Sequence, residues 1–306
     1  MRAYYYTPED LGVEGFPPGH MRLGGFARTE NPANADVFVL GPIMHHFSEE
    51  VLLNLKYLSG NEGRHFVWDL ADDFRLFGEV GWNAIRCACT KHILADDPRT
   101  IPWPWPVEPW PRSHVEEVVG TDLNENYKYD VSFWGWRSPL NFTERACESL
   151  SRGDADRLRR LIHVNDGFFG HMVPESNPDY DDLRRGFVAS LWESRLSLCP
   201  ASIDGVIRYR LYEQMSMGRG LPVHICDNCV LPWPSKINWD ECVVSIPEAE
   251  VDNTGDLLVE WLLEHDDADI RRRAEYGQLM FNTWLHRDKW DELFGIVARE
   301  RLEGKL

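Results

Sequence analysis

Apolar and polar positions along this chain change period in a regular order. Residues 35–40, ADVFVL, form a short β-rich run that ends at Gly41-Pro42, a strand leading into a loop. Residues 48–58, SEEVLLNLKYL, carry apolar residues at helical spacing behind Ser48, which can cap the first turn. GRHFVWDL at 63–70 is a second strand candidate. Strand, helix and strand in succession make a βαβ unit and predict a parallel sheet. The pattern returns in the second half. YDVSFWGW (129–136), RRLIHVND (159–166), RLSLCP (195–200) and LPVHIC (221–226) predict strands. Helices are predicted near 143–150, 179–194, 208–216, 254–264 and 268–286.

Between the halves lies IPWPWPVEPWPR (101–112), with five prolines and three tryptophans. Proline fixes φ and removes a backbone donor, so the segment is neither a helix nor a central strand. It reads either as a stiff crossing whose tryptophans pack on the domains, or as an aromatic platform for a sugar, with Trp103 and Trp105 foremost. The expected organisation is α/β, with two Rossmann-like domains. The first covers 1–125 and ends in the Pro/Trp-rich crossing, and the second covers 126–282. A carboxyl-terminal segment, 283–306, carries Trp284 and Trp290 and is expected to pack back across the domains.

Composition narrows the partners. The 306 residues hold 32 Lys and Arg against 50 Asp and Glu, a net charge of -18. That field repels polyanions and argues against a nucleic-acid surface, yet a few placed arginines can still make one phosphate pocket. No apolar run is long enough to span a bilayer, and the opening MRAYYYTPEDLGVEG has no signal-peptide core, so the expectation is a soluble cytoplasmic protein without a transmembrane segment. Seven cysteines in irregular spacing fit reduced thiols. Cys226 and Cys229 form a CxxC with His224 and Cys242 nearby. A lone CxxC is a weak zinc signal, and a buried strand followed by a turn is the preferred explanation; no metal is expected.

The chemistry concentrates in Ser197–Pro232. A buried strand ends at Pro200, Asp204-Gly205 permits a sharp turn, and a helix opens near Arg208. The free N–H groups and positive dipole end of such a helix suit phosphate, and Arg208 and Arg210 add planar, permanently charged donors. Glu213 shares a helix face with Arg210 and can accept two hydrogen bonds from a vicinal diol. The competing reading is a solvated intrahelical ion pair between Arg210 and Glu213. No GxGxxG follows a predicted strand, which counts against a nicotinamide enzyme.

Here the chain resembles the exostosin-like glycosyltransferases, glycosyltransferase family 47. Their signature runs Ser-x-Phe-Cys-Leu-x-Pro, then Gly, Ser-x-Arg-x-x-Glu-Ala, a small-residue turn with Pro-Val, and Asp before Leu-Pro-Phe and a Trp. This chain gives SRLSLCPAS (194–202), RYRLYEQ (208–214), MGRGLPVHICDN (217–228), VLPWP (230–234) and NWDECVVSIPEAEV (238–251) in the same order. Upstream, ADVFVLGPI (35–43), SGNEGRHFVWDLADDF (59–74) and DVSFWGWR (130–137) look like the family's amino-terminal strand, Gly-Arg-Asp-His-Phe block and Phe-x-Gly strand. The chain departs from the pattern with Ser202 in place of Gly, Arg208 in place of Ser or Thr, Gln214 in place of Ala, and no Asp between Arg64 and His65.

The resemblance implies a GT-B fold, two Rossmann-like domains facing a cleft, with the nucleotide sugar on the carboxyl-terminal one. It implies an inverting, metal-independent transfer from a UDP-sugar to a hydroxyl of an oligosaccharide or glycoprotein glycan, without a cofactor. The anchorless form is similar to bacterial or large algal-virus members, and UDP-xylose is the donor it suggests. On this reading Arg210, Glu213, Arg208, Ser202, Arg137 and Ser138 hold the nucleotide sugar. Asp73, then Asp72, are the candidate catalytic bases, with His45 and His46 as rivals or acceptor contacts alongside Trp103 and Trp105; helix capping is the competing role for the two aspartates. The alternative function is a non-catalytic carbohydrate-binding protein on a decayed transferase fold.

Overall fold

The computed structural model describes residues 1–11, 24–43, 54–69, 82–87, 89–107, 109–121, 123, 125–136, 142–165, 179–201 and 206–305. These fall into two units. One comprises Met1–Trp105, Val230–Trp233 and Trp284–Leu306; the other comprises Pro106–Cys229 and Pro234–Thr283.

The first unit is built on strands β1 (Arg2–Tyr5), β2 (Ala27–Arg28), β3 (Val37–Ile43), β4 (His65–Asp69), β5 (Asn83–Arg86) and β6 (Ile101–Pro102), in spatial order β2-β1-β3-β4-β5-β6. Every neighbouring pair is parallel. A parallel sheet covered on both faces calls for an unbroken apolar run, and Val37, Phe38, Val39 and Leu40 are all buried. The two-residue β6 sits at the sheet edge, where Pro102 costs no ladder bond. Of the helix predicted over 48–58, residues 48–53 lie outside the described set. Residues 54–58 form turns instead, with Leu58 N–H donating to Leu55 O at 3.0 Å and Asn61 N–H to Leu58 O at 2.8 Å. Leu55 and Leu58 are buried all the same, so the apolar spacing that reads as helical serves a turn.

The Gly-Arg-His-Phe block at 63–66 is structural. His65 is fully buried, stacks on Phe38 at 4.7 Å, meets the Tyr6 hydroxyl through Nε2 at 2.8 Å and the Asn61 carbonyl through Nδ1 at 2.8 Å. Arg64 Nε donates to the Asp36 carbonyl at 2.7 Å, tying the start of β4 to β3.

The helices of this unit include α1 (Pro8–Leu11), α2 (Lys91–Asp96) and a carboxyl-terminal helix, Trp290–Leu302. Trp290 packs on Trp68 at 5.1 Å, and Phe294 on Phe66 at 5.8 Å. The short return of the chain at Val230–Trp233 is anchored in the same unit: Val230 N–H donates to Cys89 O at 3.0 Å. Trp233 holds a left-handed backbone, φ 54°, with its ring 5.1 Å from Trp103 and 5.9 Å from Trp284. A bulky residue is strained in that region and stays there because its surroundings fix it.

The second unit has strands β7 (Tyr129–Trp136), β8 (Arg160–Asn165), β9 (Ser194–Pro200), β10 (Leu221–Ile225) and β11 (Val244–Ile246), in order β11-β10-β9-β7-β8, again all parallel. The chain goes outward from β7 to β8, then crosses to the other side of β7 to lay down β9, β10 and β11. The order therefore reverses between β7 and β9. Numbering the remaining helices in chain order, α3 is Arg112–Val119, α4 Thr143–Ser149, α5 Tyr180–Trp192, α6 Tyr209–Met217, α7 Thr254–Glu264 and α8 Asp267–Met280. The core joins Val131, Phe133, Leu196, Leu198, Val223 and Ile246 from the sheet to Leu258, Ile270 and Ala274 from the helices.

The α/β class and the two parallel Rossmann-like sheets agree with the sequence reading. The boundaries differ. Residues 106–125 belong to the second unit, because Trp110, Val115 and Leu123 share a buried cluster with Val188, Leu191 and Trp192 of α5. Trp284–Leu306 belong to the first. Among the described residues no helix is long and apolar enough to cross a membrane.

Candidate functional site

In an open parallel sheet the crevice for a ligand lies at the carboxyl ends of the strands where the strand order reverses. In the second unit that place is the end of β7 beside the end of β9. Each helix returns the chain to the start of the next strand, so these ends carry the loops that approach a ligand.

Helix α6 brings its first turn here. Arg208 caps it with extended backbone (φ -86°, ψ 147°), and no acidic residue lies in the first turn to neutralise its positive end. The helix stops at Gly218, which takes the left-handed conformation, φ 65°, that glycine adopts without a side-chain penalty. Its buried face carries Arg210, Leu211, Tyr212, Gln214 and Met215. Gln214 is a core residue: its Nε2 donates to the carbonyls of Leu191 and Arg219. The departure from alanine at this position is thus used to hold α6 against the strand connections.

Arg210 is the centre of the site. Only 8% of it is exposed. Its guanidinium lies between two aromatic rings, 4.8 Å from the centroid of Phe133 on β7 and 4.9 Å from that of Phe187 on α5. Each stack contributes about 0.5–2 kcal/mol. Gly135, near the end of β7, makes room for it: a Cβ there would stand 3.3 Å from Arg210 Nη2 and 3.0 Å from the Phe133 ring. Nη1 is buried with no hydrogen-bond partner among the described residues. Burial pulls the guanidinium pKa below its ordinary value, opposed by Cys199, Glu213 and Cys147. Among the described residues the fold therefore holds a desolvated cation whose donors are incompletely used, an arrangement that costs free energy unless an anion completes it.

Glu213 stands one turn further on and is half-buried. Desolvation pushes its carboxyl up to about 7, against the pull of Arg210 and Trp110. Trp110 is placed by Ser216, whose Oγ accepts the Trp110 backbone N–H at 2.9 Å and donates to the Glu213 carbonyl at 2.7 Å. The Trp110 indole N–H lies near enough to favour the ionised carboxyl without forming an aligned hydrogen bond. Arg210 and Glu213 act on each other through charge, each opposing the shift that burial imposes on the other. Beneath them Cys199, fully desolvated and pushed up to about 12, is a neutral thiol donating to the Ser197 carbonyl at 3.3 Å.

Of the residues singled out in the sequence, Arg210 and Glu213 lie on α6 and Arg208 caps it. Ser202, Arg137 and Ser138 lie outside the described residues, as do Asp72, Asp73, His45 and His46. Trp103 and Trp105 are described and buried, at 0% and 5% exposure. Trp103 is enclosed by Trp233, Trp290 and Phe294 in the core of the first unit, which corrects the expectation that it offers a face to a sugar. Sequence reasoning missed Phe187, Trp110 and Ser216, which surround the charged pair. Phe187 reads from spacing alone as one more apolar residue on an amphipathic helix. For metal ligation, His224, Cys226 and Cys229 are the one group among the described residues whose ligand atoms gather within 4.8 Å of one another.

No protein-family model matches the chain, and no curated protein sequence does. Among solved structures it is similar to an α,α-trehalose-phosphate synthase (UDP-forming) from Burkholderia vietnamiensis, at 10% identity and a TM-score of 0.41, over 83% of this chain and 77% of that one. That likeness is too distant to assign a substrate or a residue, and the site's chemistry rests on the α6 residues themselves.

Proposed function

We propose that the protein is a glycosyltransferase that binds a UDP-sugar at the strand ends of its second unit and transfers the sugar to a glycan hydroxyl. The observation that carries this reading is Arg210, a buried guanidinium stacked between Phe133 and Phe187, with Nη1 unpartnered among the described residues, set at the sheet's reversal point. A diphosphate supplies the acceptor oxygens that this donor lacks, in the bidentate manner arginine favours. The positive dipole end of α6, with no acidic residue in its first turn, favours the same anion. Glu213, when ionised, is an acceptor-only group suited to a ribose diol. The motif order from 194 to 251, similar to exostosin-like transferases, supports the same assignment.

The mechanism that follows is an inverting displacement without a catalytic metal. The acceptor hydroxyl oxygen attacks the anomeric carbon while the bond to the β-phosphate oxygen breaks. The hydroxyl proton passes to a carboxylate, and the charge that develops on the leaving UDP is met by Arg210, Arg208 and the helix end. Asp73 is our choice for the base, with Asp72 second; both follow β4 in sequence. A pentose donor such as UDP-xylose is our choice of sugar. The carbohydrate-binding alternative would draw on the tryptophans at 103, 105 and 110, and these are buried. Calorimetric titration with UDP, UMP and uridine tests the site: affinity should rise with each phosphate. Equal affinities for UDP and uridine would remove the diphosphate from Arg210.

A further inference from the structure

Strand β10 ends at Ile225, and the turn that follows carries Cys226 and Cys229. His224, the penultimate residue of the strand, projects into the same region: its ring and both sulfurs have ligand atoms within 4.8 Å of one another. Three features make this more than a CxxC in a turn. First, His224 is 3% exposed, and neither ring nitrogen has a well-formed hydrogen bond among the described residues. Buried imidazole nitrogens are ordinarily satisfied, and a neutral ring in this position is the form that ligates metal. Second, Cys199 of β9 stands opposite His224 in the sheet register and offers a backbone carbonyl that acts on the ring. It can take the N–H of one nitrogen and leave the other as a donor to a metal, the arrangement that fixes the tautomer of metal-bound histidines. Third, the Cys229 backbone N–H donates to Cys226 Sγ at 3.2 Å, so the turn itself holds the two cysteines together.

We infer that His224, Cys226 and Cys229 form a binding site for a thiophilic divalent cation of the zinc type, with Glu248 or a water in the fourth position. Glu248 Oε1 is 3.2 Å from Cys226 Sγ and also accepts the Asp227 backbone N–H at 3.0 Å. One imidazole and two thiolates with a carboxylate or water form a set that suits zinc and excludes magnesium and calcium, which take oxygen ligands. Binding displaces the two thiol protons, including the one Cys226 now donates to Glu248. The site's role is structural. It would pin the turn from which the chain leaves the second unit, since Cys229 is the last residue before the return at Val230–Trp233. It is separate from the sugar transfer, which needs no metal in the mechanism above.

The test uses the full chain, purified under reducing conditions without a polyhistidine tag. Elemental analysis of the protein as isolated, and cobalt(II) loading after chelation, should give one metal per chain and the intense near-ultraviolet band of thiolate-to-cobalt charge transfer. Cys226→Ser and Cys229→Ser should each weaken that band and lower cobalt affinity at least about tenfold. His224→Ala should keep the thiolate band with the same loss of affinity, and Cys147→Ser should change nothing. Should a ligand variant fail to fold, alkylation of the wild type decides: zinc should slow iodoacetamide modification of Cys226 and Cys229 and not that of Cys147. A protein that carries no metal and shows no thiolate band with cobalt overturns the inference. So does a Cys226–Cys229 disulfide that persists under the reducing preparation, or a band that survives loss of both cysteines.

Discussion

Replacing Arg210 with methionine separates a binding role from a structural one, because the two predict changes in different measurements. Methionine keeps an unbranched apolar chain between Phe133 and Phe187 and removes the charge. The wild-type guanidinium is 8% exposed, with Nη1 unpartnered among the described residues and its charged form disfavoured by burial. Removing a buried, incompletely satisfied donor relieves about 1–3 kcal/mol. Against this stands the loss of two cation–π contacts of about 0.5–2 kcal/mol each. The terms nearly cancel, so the melting temperature should stay within a few degrees of wild type. Binding has no such compensation. A charge-assisted hydrogen bond is worth about 1.5–3 kcal/mol, so UDP affinity should fall about 10- to 150-fold. Differential scanning fluorimetry and isothermal calorimetry on the same samples give both numbers. A large drop in melting temperature with unchanged UDP affinity would refute the reasoning and make Arg210 a core residue.

Glu213 gives a pH dependence of definite sign. Its folded-state pKa, about 7, lies above the ordinary 4.5, so the folded protein binds more protons than the unfolded chain between these values. The contribution to stability is fully present below about pH 4.5 and is lost as pH rises through about 7, roughly 3 kcal/mol at most; Glu213→Gln should flatten that slope in denaturant titrations across this range. UDP binding should tighten over the same interval as the carboxylate forms, and a pH-independent affinity would take Glu213 off the ribose. Trp103→Ala should cost about 3–5 kcal/mol in urea unfolding because it empties a filled core position; a stable variant with weakened glycan binding would restore the platform reading. Asp73→Asn should lower turnover about 10²–10⁴-fold with UDP affinity intact, and wild-type turnover would remove it as the base.

The parts of this molecule that were legible in the sequence are those whose local pattern agrees with their tertiary use. The helix Thr254–Glu264 and the strands Arg160–Asn165 and Leu221–Ile225 fall within a residue of their expected bounds, because the apolar period and end signals coincide with burial. The helix at Arg208 was readable for the same reason. Short edge elements were not. Ala27–Arg28 and Val244–Ile246 are held by pairing with neighbours distant in sequence, which no local window contains. Leu55 and Leu58 mimic a helix while packing a turn. The proline-rich crossing is legible as a breaker, but its tryptophans do not sort from sequence: a tryptophan in an interior and one on a sugar-binding face look alike until their neighbours are known. At the site, the two charges were visible and their setting was not. The sandwich of Phe133 and Phe187 that turns Arg210 from a surface cation into a buried one comes from a strand and a helix far apart in the chain.

The central claim is a sugar transfer that releases UDP. Its most direct measurement is UDP release from a panel of UDP-sugars, UDP-xylose among them, with and without glycan acceptors, in the presence of a chelator. The account predicts UDP formation that depends on acceptor, survives chelation and is lost in Arg210→Met. UDP-sugars that bind nowhere on the protein, or release that persists unchanged in Arg210→Met, would contradict it.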